Sequence, residues 1–360
     1  MIKERIDSKQ FTVLVIMNTL GAAIIYIPSI AARMAKENGW ISIVLMVITG
    51  LGLILLYNRI ITHQDSRGLF HTIEQAIGKR AGWLLSLLFI GFIFMNLWAN
   101  LWAVGDFLSI QILMETPFEV ITFLIILTVG IAVSYGLEVV ARTAELFFPF
   151  TMLCAILLTF LVLKGASVEN LLPVFQLNRT GTFAGILPMV SITFLELFIL
   201  VGITHTVNEK QAAKRAFFIG GGFSGFILFA ITIACILVLG PQGTADSSYP
   251  VYALGQRISL FNFIERIEII VAFIWFFTIF FKLCISFYVL SQGLKYLVKL
   301  HNPQIVTIPI ALLVFFSGIM AAPNPYASQD FINGPVIILS ILAGLILPLI
   351  VLIGLRIRKK

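Results

Sequence analysis

The 360-residue chain is 59% hydrophobic and only 11% charged, with a formal net charge of +7. A soluble globular domain carries about 25% charged residues, so that class is excluded. A nucleic-acid binder would gather its Lys and Arg into one patch with a motif to present it, whereas here they fall in short clusters between apolar runs, as in an integral membrane protein.

A spanning helix needs about 20 apolar residues. Runs of that kind lie at about 11–32, 40–58, 83–110, 118–136, 143–164, 183–204, 216–239, 267–290, 304–321 and 335–355. They predict ten transmembrane helices in one all-α domain covering residues 1–360. In the first run, NTLGAAIIYIPS (Asn18 to Ser29) places Gly21 and Pro28 inside an apolar stretch. Lipid offers no substitute partner for a freed backbone group, so the expectation is a discontinuous helix whose break, at Gly21, Ala22 and Ala23, lines a ligand site. The alternative is a Pro kink satisfied by neighbouring helices. A charged start before an apolar stretch also has the order of a secretory signal, but this run is too long for one and is read as a retained span.

After the second span, Leu69, Ile73 and Ile77 fall one helical turn apart, which predicts a short amphipathic helix on the inner membrane surface. On the third span Trp98, Trp102 and Asp106 form one stripe and Asn96 and Asn100 another. The Trp pair would wall a ligand pocket or mark the bilayer interface. In the fifth, LEVVARTAELFFP spaces Glu138, Arg142 and Glu145 so that Arg142 reaches both carboxylates, as a brace or as a gate that breaks on rearrangement.

The sixth span, GILPMVSITFLELF, repeats the interrupted pattern with Gly185 and Pro188 before Ser191, Thr193 and Glu196. An ionisable residue at mid-membrane costs roughly 2.5–3.5 kcal/mol on insertion scales. Glu196 would therefore pair with a cation, stay protonated at a raised pKa, accept hydrogen bonds from freed amides, or, as a neutral side chain, tie its helix to a neighbour. The outer stretch from Gly240 to Glu268 carries Tyr252, Leu254, Ile258 and Phe261 among turn residues, and reads as a folded lid or an anchored surface loop. In the eighth span Lys282 either snorkels to the inner surface or is a fixed cation beside the carbonyls that helix 1 leaves unpaired. The second reading replaces a bound ion and predicts no sodium requirement.

The three Cys (154, 235, 284) sit in apolar runs, the four His do not pair at ligand spacing, and no phosphate loop or nucleophile constellation occurs. The expectations are no metal, no cofactor and no enzyme. With the N-terminus inside, 17 of the 24 Lys and Arg fall on the inner side and six outside, with Lys282 in a span. Five spans per half is an odd number, so the halves, about 11–164 and 183–355, run in opposite orientation. That is an inverted repeat in which helices 1 and 6 are both discontinuous.

The start IDSKQF, then LGAAIIYIPS, NGWIS at Asn38 to Ser42, LEVVARTAELFFPF, FLELF at Phe194 to Phe198 and FFKLCISFY at Phe280 to Tyr288 together resemble the GerAB-like spore germination permeases. These are the B subunits of bacterial spore germinant receptors, within the amino acid, polyamine and organocation transporter superfamily. The resemblance implies a LeuT-like fold, a location in the spore inner membrane and a complex with an A subunit and a lipoprotein C subunit. It also implies that a small nutrient is sensed at the region of Gly21 and of Ser191 to Glu196. A proton-coupled amino-acid transporter in which Glu196 or Lys282 titrates remains the alternative, as does a scaffold without a ligand.

Overall fold

The computed structural model describes residues 5–173, 179–257, 268–300, 303–321 and 332–358, and within them the regular secondary structure is helical, joined by turns and short loops, with one isolated bridge between Ile6 and Val207. Helix α1 (Ser8–Leu20) starts at a capping box: the Asp7 carboxylate accepts from the Gln10 backbone N–H at 2.7 Å, and the Gln10 side chain accepts from the Asp7 N–H. The IDSKQF start is thus a helix-initiation signal in its own right. The helix stops at Leu20, Gly21 and Ala22 form a turn, and α2 (Ala23–Ala35) resumes the path. A tight turn at Lys36–Asn38 leads into α3 (Gly39–His63), which packs back against α2.

The amphipathic helix is α4 (Leu69–Ile77). Its apolar face packs on protein, against α5 (Lys79–Phe107) and the last helix of the chain, and buries Leu69, Phe70 and Ile73. Helices α6 (Phe118–Ser134) and α7 (Leu137–Val162) follow. The sixth span comprises α8 (Arg179–Val190), a π-helical stretch Ser191–Leu195, a turn at Glu196 and Leu197, and α9 (Phe198–Val201). Pro188 removes one ladder donor inside α8. Beyond the π stretch the backbone closes with short-range bonds, Ile199 N–H to Glu196 O and Leu200 N–H to Leu197 O, both 3.0 Å.

Helix α10 (Lys210–Asp246) breaks at Gly240, whose φ of 74° and following Pro241 redirect the chain into a last short turn. Helix α11 (Pro250–Gln256) then lies against α2, α10 and α12 (Glu268–Val298). The described half of the outer stretch is therefore folded onto the bundle, with Tyr252 and Leu254 buried; Ile258 and Phe261 lie outside the described residues. Helix α13 (Thr307–Ala321), α14 (Ile337–Ile341) and α15 (Leu347–Ile357) complete the chain, the last two separated by a π stretch.

Among the described residues seven helices are long and apolar enough to cross a membrane, and 118–134 and 304–320 are shorter apolar helices. The expected count of ten therefore holds only in part. The first expected span is two 13-residue halves, neither of spanning length alone, and the second half joins the next span through a short turn. Burial separates the layers: the most apolar window of 181–201 is 72% buried and that of 137–162 only 22%. The broken sixth span is thus central, and α7 presents Leu146, Leu153 and Phe160 outward, as a bilayer-facing helix must.

Candidate functional site

The breaks in the first and sixth spans meet at one buried ion pair. Lys282 Nζ of α12 lies 2.5 Å from Glu196 Oε2, and the two residues are 1% and 3% exposed. Lys282 therefore turns inward and does not snorkel, and Glu196 takes the first of its four readings, pairing with a cation. The contact is close but not aligned as a hydrogen bond, and neither atom has a hydrogen-bond partner among the described residues. Gly21 explains how the Lys282 stem reaches Glu196. A Cβ on Gly21 would stand 2.5 Å from Lys282 Cδ, so the missing side chain is the space through which the lysine passes. One turn earlier, both polar atoms of Asn18 are buried without a hydrogen-bond partner among the described residues.

A cavity of about 310 Å3 opens on the other side of Glu196. Ala22 and Ile192 from the two breaks lie at one end with Glu196; Tyr26, Ser29 and Arg33 of α2 form one wall, and Asn96, Asn100, Trp102 and Asp106 of α5 another. Glu196 is thus shared between the cavity lining and the lysine. Of the residues expected at a ligand site, the structure brings Ala22, Trp102 and Glu196 to the cavity; Gly21, Ala23, Ser191, Thr193 and Trp98 are not in its described lining. The Ser191 and Thr193 hydroxyls instead donate to the Leu187 and Met189 carbonyls, at 2.8 and 2.6 Å, within the distorted helix.

Of the residues that close the cavity, Asp106 is on the expected stripe and Tyr249 falls in the outer stretch expected as a lid or surface loop, but the sequence singles out neither Tyr249 nor Arg33. Tyr249, between α10 and α11, donates its hydroxyl to the Asp106 carboxylate and packs edge-on against Phe107. Burial, then Tyr26 and Asp106 nearby, push its phenol far above the ordinary tyrosine range, so it donates as a neutral group. Arg33 Nε donates to the Ala245 carbonyl at 2.7 Å, which fixes the outer end of α2 to the kinked end of α10. Behind the site, Tyr57 of α3 donates to Phe194 O (3.2 Å) and Gly344 O (2.7 Å), tying the π stretch to the last helices. No sequence pattern distinguishes Tyr57. The SSYP turn before α11 was the one visible signal for Tyr249.

The expected cluster on α7 is corrected. Arg142 pairs with Glu138 at 2.5 Å, but Glu145 pairs with Lys9 of α1 at 2.7 Å. Lys9 approaches from the neighbouring helix, so the bond joins the inner ends of α1 and α7 and leaves Arg142 with one carboxylate.

Two broken helices meeting beside a cavity, in a bundle of apolar helices, define a multi-pass membrane protein of the LeuT transporter fold. Solved structures agree: the fold matches MhsT in complex with L-phenylalanine with a TM-score of 0.69 at 15% identity, over 98% of this chain and 99% of that one. It also matches Mhp1, a nucleobase-cation-symport-1 family transporter, with a TM-score of 0.69 at 12% identity over 96% of this chain and 78% of that one. The chain belongs to the spore germination protein family, the spore permeases, whose profile matches residues 5–326. Similar relatives are spore germination protein KB of Bacillus subtilis (strain 168), 27% identical over 89% of this chain and 86% of its own. Spore germination protein A2 of the same organism is 26% identical over 84% and 83%. These relatives and structural neighbours are germination proteins and transporters, not enzymes.

Proposed function

We propose that the chain is the membrane-embedded B subunit of a spore nutrient germinant receptor. It binds an amino acid or a nutrient of similar size in the cavity beside Glu196 and passes the resulting movement to an A subunit and a lipoprotein C subunit in the spore inner membrane. The observation that carries this reading is the position of Glu196, between the cavity and Lys282. The volume, about 310 Å3, is at the small end of ligand pockets, roughly 300–1000 Å3. Its lining suits a zwitterion: Glu196 for an ammonium, the Asn96 amide N–H for a carboxylate, and Trp102 with Ile192 for an apolar side chain, while the Asn100 amide donates to Asn96 O and Oδ1 and holds that side chain in place. The similar fold of MhsT, solved with L-phenylalanine, supports an amino acid as the first class to test.

A ligand ammonium at Glu196 would compete with Lys282 for the same carboxylate. Binding would then favour whichever arrangement of α1, α12 and the sixth span tolerates a weakened pair, through differential affinity for the two arrangements. The test is a germinant screen on spores carrying only this receptor, followed by equilibrium binding of the active nutrient to purified protein. Trp102→Ala, and Glu196→Gln combined with Lys282→Met so that no charge is stranded, should each weaken binding by at least ten-fold at normal membrane abundance. Unchanged binding in both variants would overturn the site. A proton-coupled amino-acid transporter is the second reading, favoured by the same buried pair of ionisable groups. Uptake into vesicles driven by a pH gradient supports it, and binding without uptake supports the receptor.

A further inference from the structure

A second cavity, of about 580 Å3, lies between the first turn of α4, the start of α5 and the end of α12. Its lining includes Lys79, Lys295 and Lys299, and none of their ammonium groups has an ion-pair or hydrogen-bond partner among the described residues. Of the other charges around it, one cation is paired and one carboxylate keeps its negative charge. Arg67 is held by Asp65 at 2.9 Å, and Glu74 accepts from the Tyr296 hydroxyl. Three unpaired lysines against the single Glu74 carboxylate leave the concavity with an excess of positive charge, and an anion placed among the lysines relieves their mutual repulsion.

The mouth of the cavity indicates the source of the anion. Trp83, one turn beyond Lys79 on α5, lines the cavity and is 49% exposed; Leu84, Leu87 and Leu88 follow it, also exposed. Trp belongs at the membrane–water boundary, and the exposed leucines continue from it along the same helix. A ligand with a negative head among the lysines and an apolar body along the leucines matches this arrangement. We propose that the cavity holds the phosphate headgroup of an anionic phospholipid, with its acyl chains along the exposed face of α5. Basic pockets between helices on the positively charged side of membrane proteins take such headgroups by the same electrostatics.

The experiment follows the thermal midpoint of the purified full chain in a neutral detergent as phosphatidylglycerol is added, against phosphatidylcholine of the same chain length, inorganic phosphate and a polyglutamate peptide. Phosphatidylglycerol should raise the midpoint where phosphatidylcholine does not. The variant Lys79→Gln, Lys295→Gln, Lys299→Gln should need at least ten-fold more phosphatidylglycerol for the same rise. A control with Arg59→Gln, Lys214→Gln and Arg215→Gln, outside the cavity lining, should stay within two-fold of the parent. Should the cavity variant elute aggregated, Lys299→Gln alone, in the exposed turn just past α12, is expected to need two- to three-fold more. Equal responses of the cavity and control variants overturn the proposal, as do equal effects of the two phospholipids. A full effect of inorganic phosphate at the same concentration makes the ligand a soluble anion. A cavity-dependent effect of polyglutamate, with none from phosphatidylglycerol, makes it an acidic protein segment.

Discussion

Replacing one member of the Glu196–Lys282 pair should be far more damaging than replacing both. At 2.5 Å and an effective dielectric of about 20, the attraction is about 7 kcal/mol, and most of it offsets the cost of taking two charges out of water. The net worth of the intact pair is therefore small, but a single change strands the partner, which typically costs about 3–5 kcal/mol. Lys282→Met and Glu196→Gln should each lower stability by that order, measured by reversible unfolding in mixed micelles. The double variant should recover most of the loss, giving a coupling energy above about 2 kcal/mol. Singles within about 0.5 kcal/mol of the parent, or a double equal to the sum of the singles, would refute the buried-pair reasoning.

Gly21→Ala should behave as a mild Lys282 defect, because its Cβ meets the lysine stem; its cost should shrink in a Lys282→Ala background, checked in the same unfolding assay. Tyr249→Phe removes the hydroxyl from Asp106 and should speed release of a labelled germinant roughly ten-fold, about 1.4 kcal/mol, at unchanged abundance; an unaltered release rate would remove this latch. Arg142→Ala should cost no more than about 0.3–0.5 kcal/mol, the range for exposed pairs one turn apart, since Arg142 is 69% exposed and Glu145 is held by Lys9. Burial works to raise the Asp65 carboxyl, but hydrogen bonds from the Arg67 backbone and guanidinium, and the charges of His71 and Arg67, hold it below the ordinary range. Its contribution is then full above the unfolded value of about 3.9 and lost as pH falls through the lower folded value. Asp65→Asn should abolish that acid-side loss of protection in the α3–α4 loop, read by hydrogen exchange.

The membrane class, both broken spans and the amphipathic helix were legible because each rests on local signals: apolar length, Gly and Pro inside a run, and 3.6-residue spacing. Glu196 and Lys282 were each conspicuous as charges in apolar runs. Their partnership was not legible, since a single sequence does not show which faces of two distant helices meet. The same limit misdirected the reading of Arg142, where spacing ranks only partners on the same helix and Lys9 arrives from α1. It also hid the role of Gly21, whose neighbour is a lysine stem from α12. Ser191 and Thr193 looked like ligand groups, but hydroxyls in a distorted helix find the loosened carbonyls one turn back first.

The geometry at Gly21 limits how any cavity ligand could act on the rest of the protein. Lys282 touches the first break through its stem and the sixth span through its ammonium, so the packing of α1 on α12 and the charge of Glu196 are not independent. A cation entering the cavity at Glu196 competes for the carboxylate that holds the lysine across Gly21. A neutral ligand of the same size has no such competition to offer, and by this route shifts the bundle no further than its own unequal contacts with the two arrangements allow. Signalling through the pair should therefore follow the charge a nutrient brings to Glu196 more closely than the total affinity with which it binds.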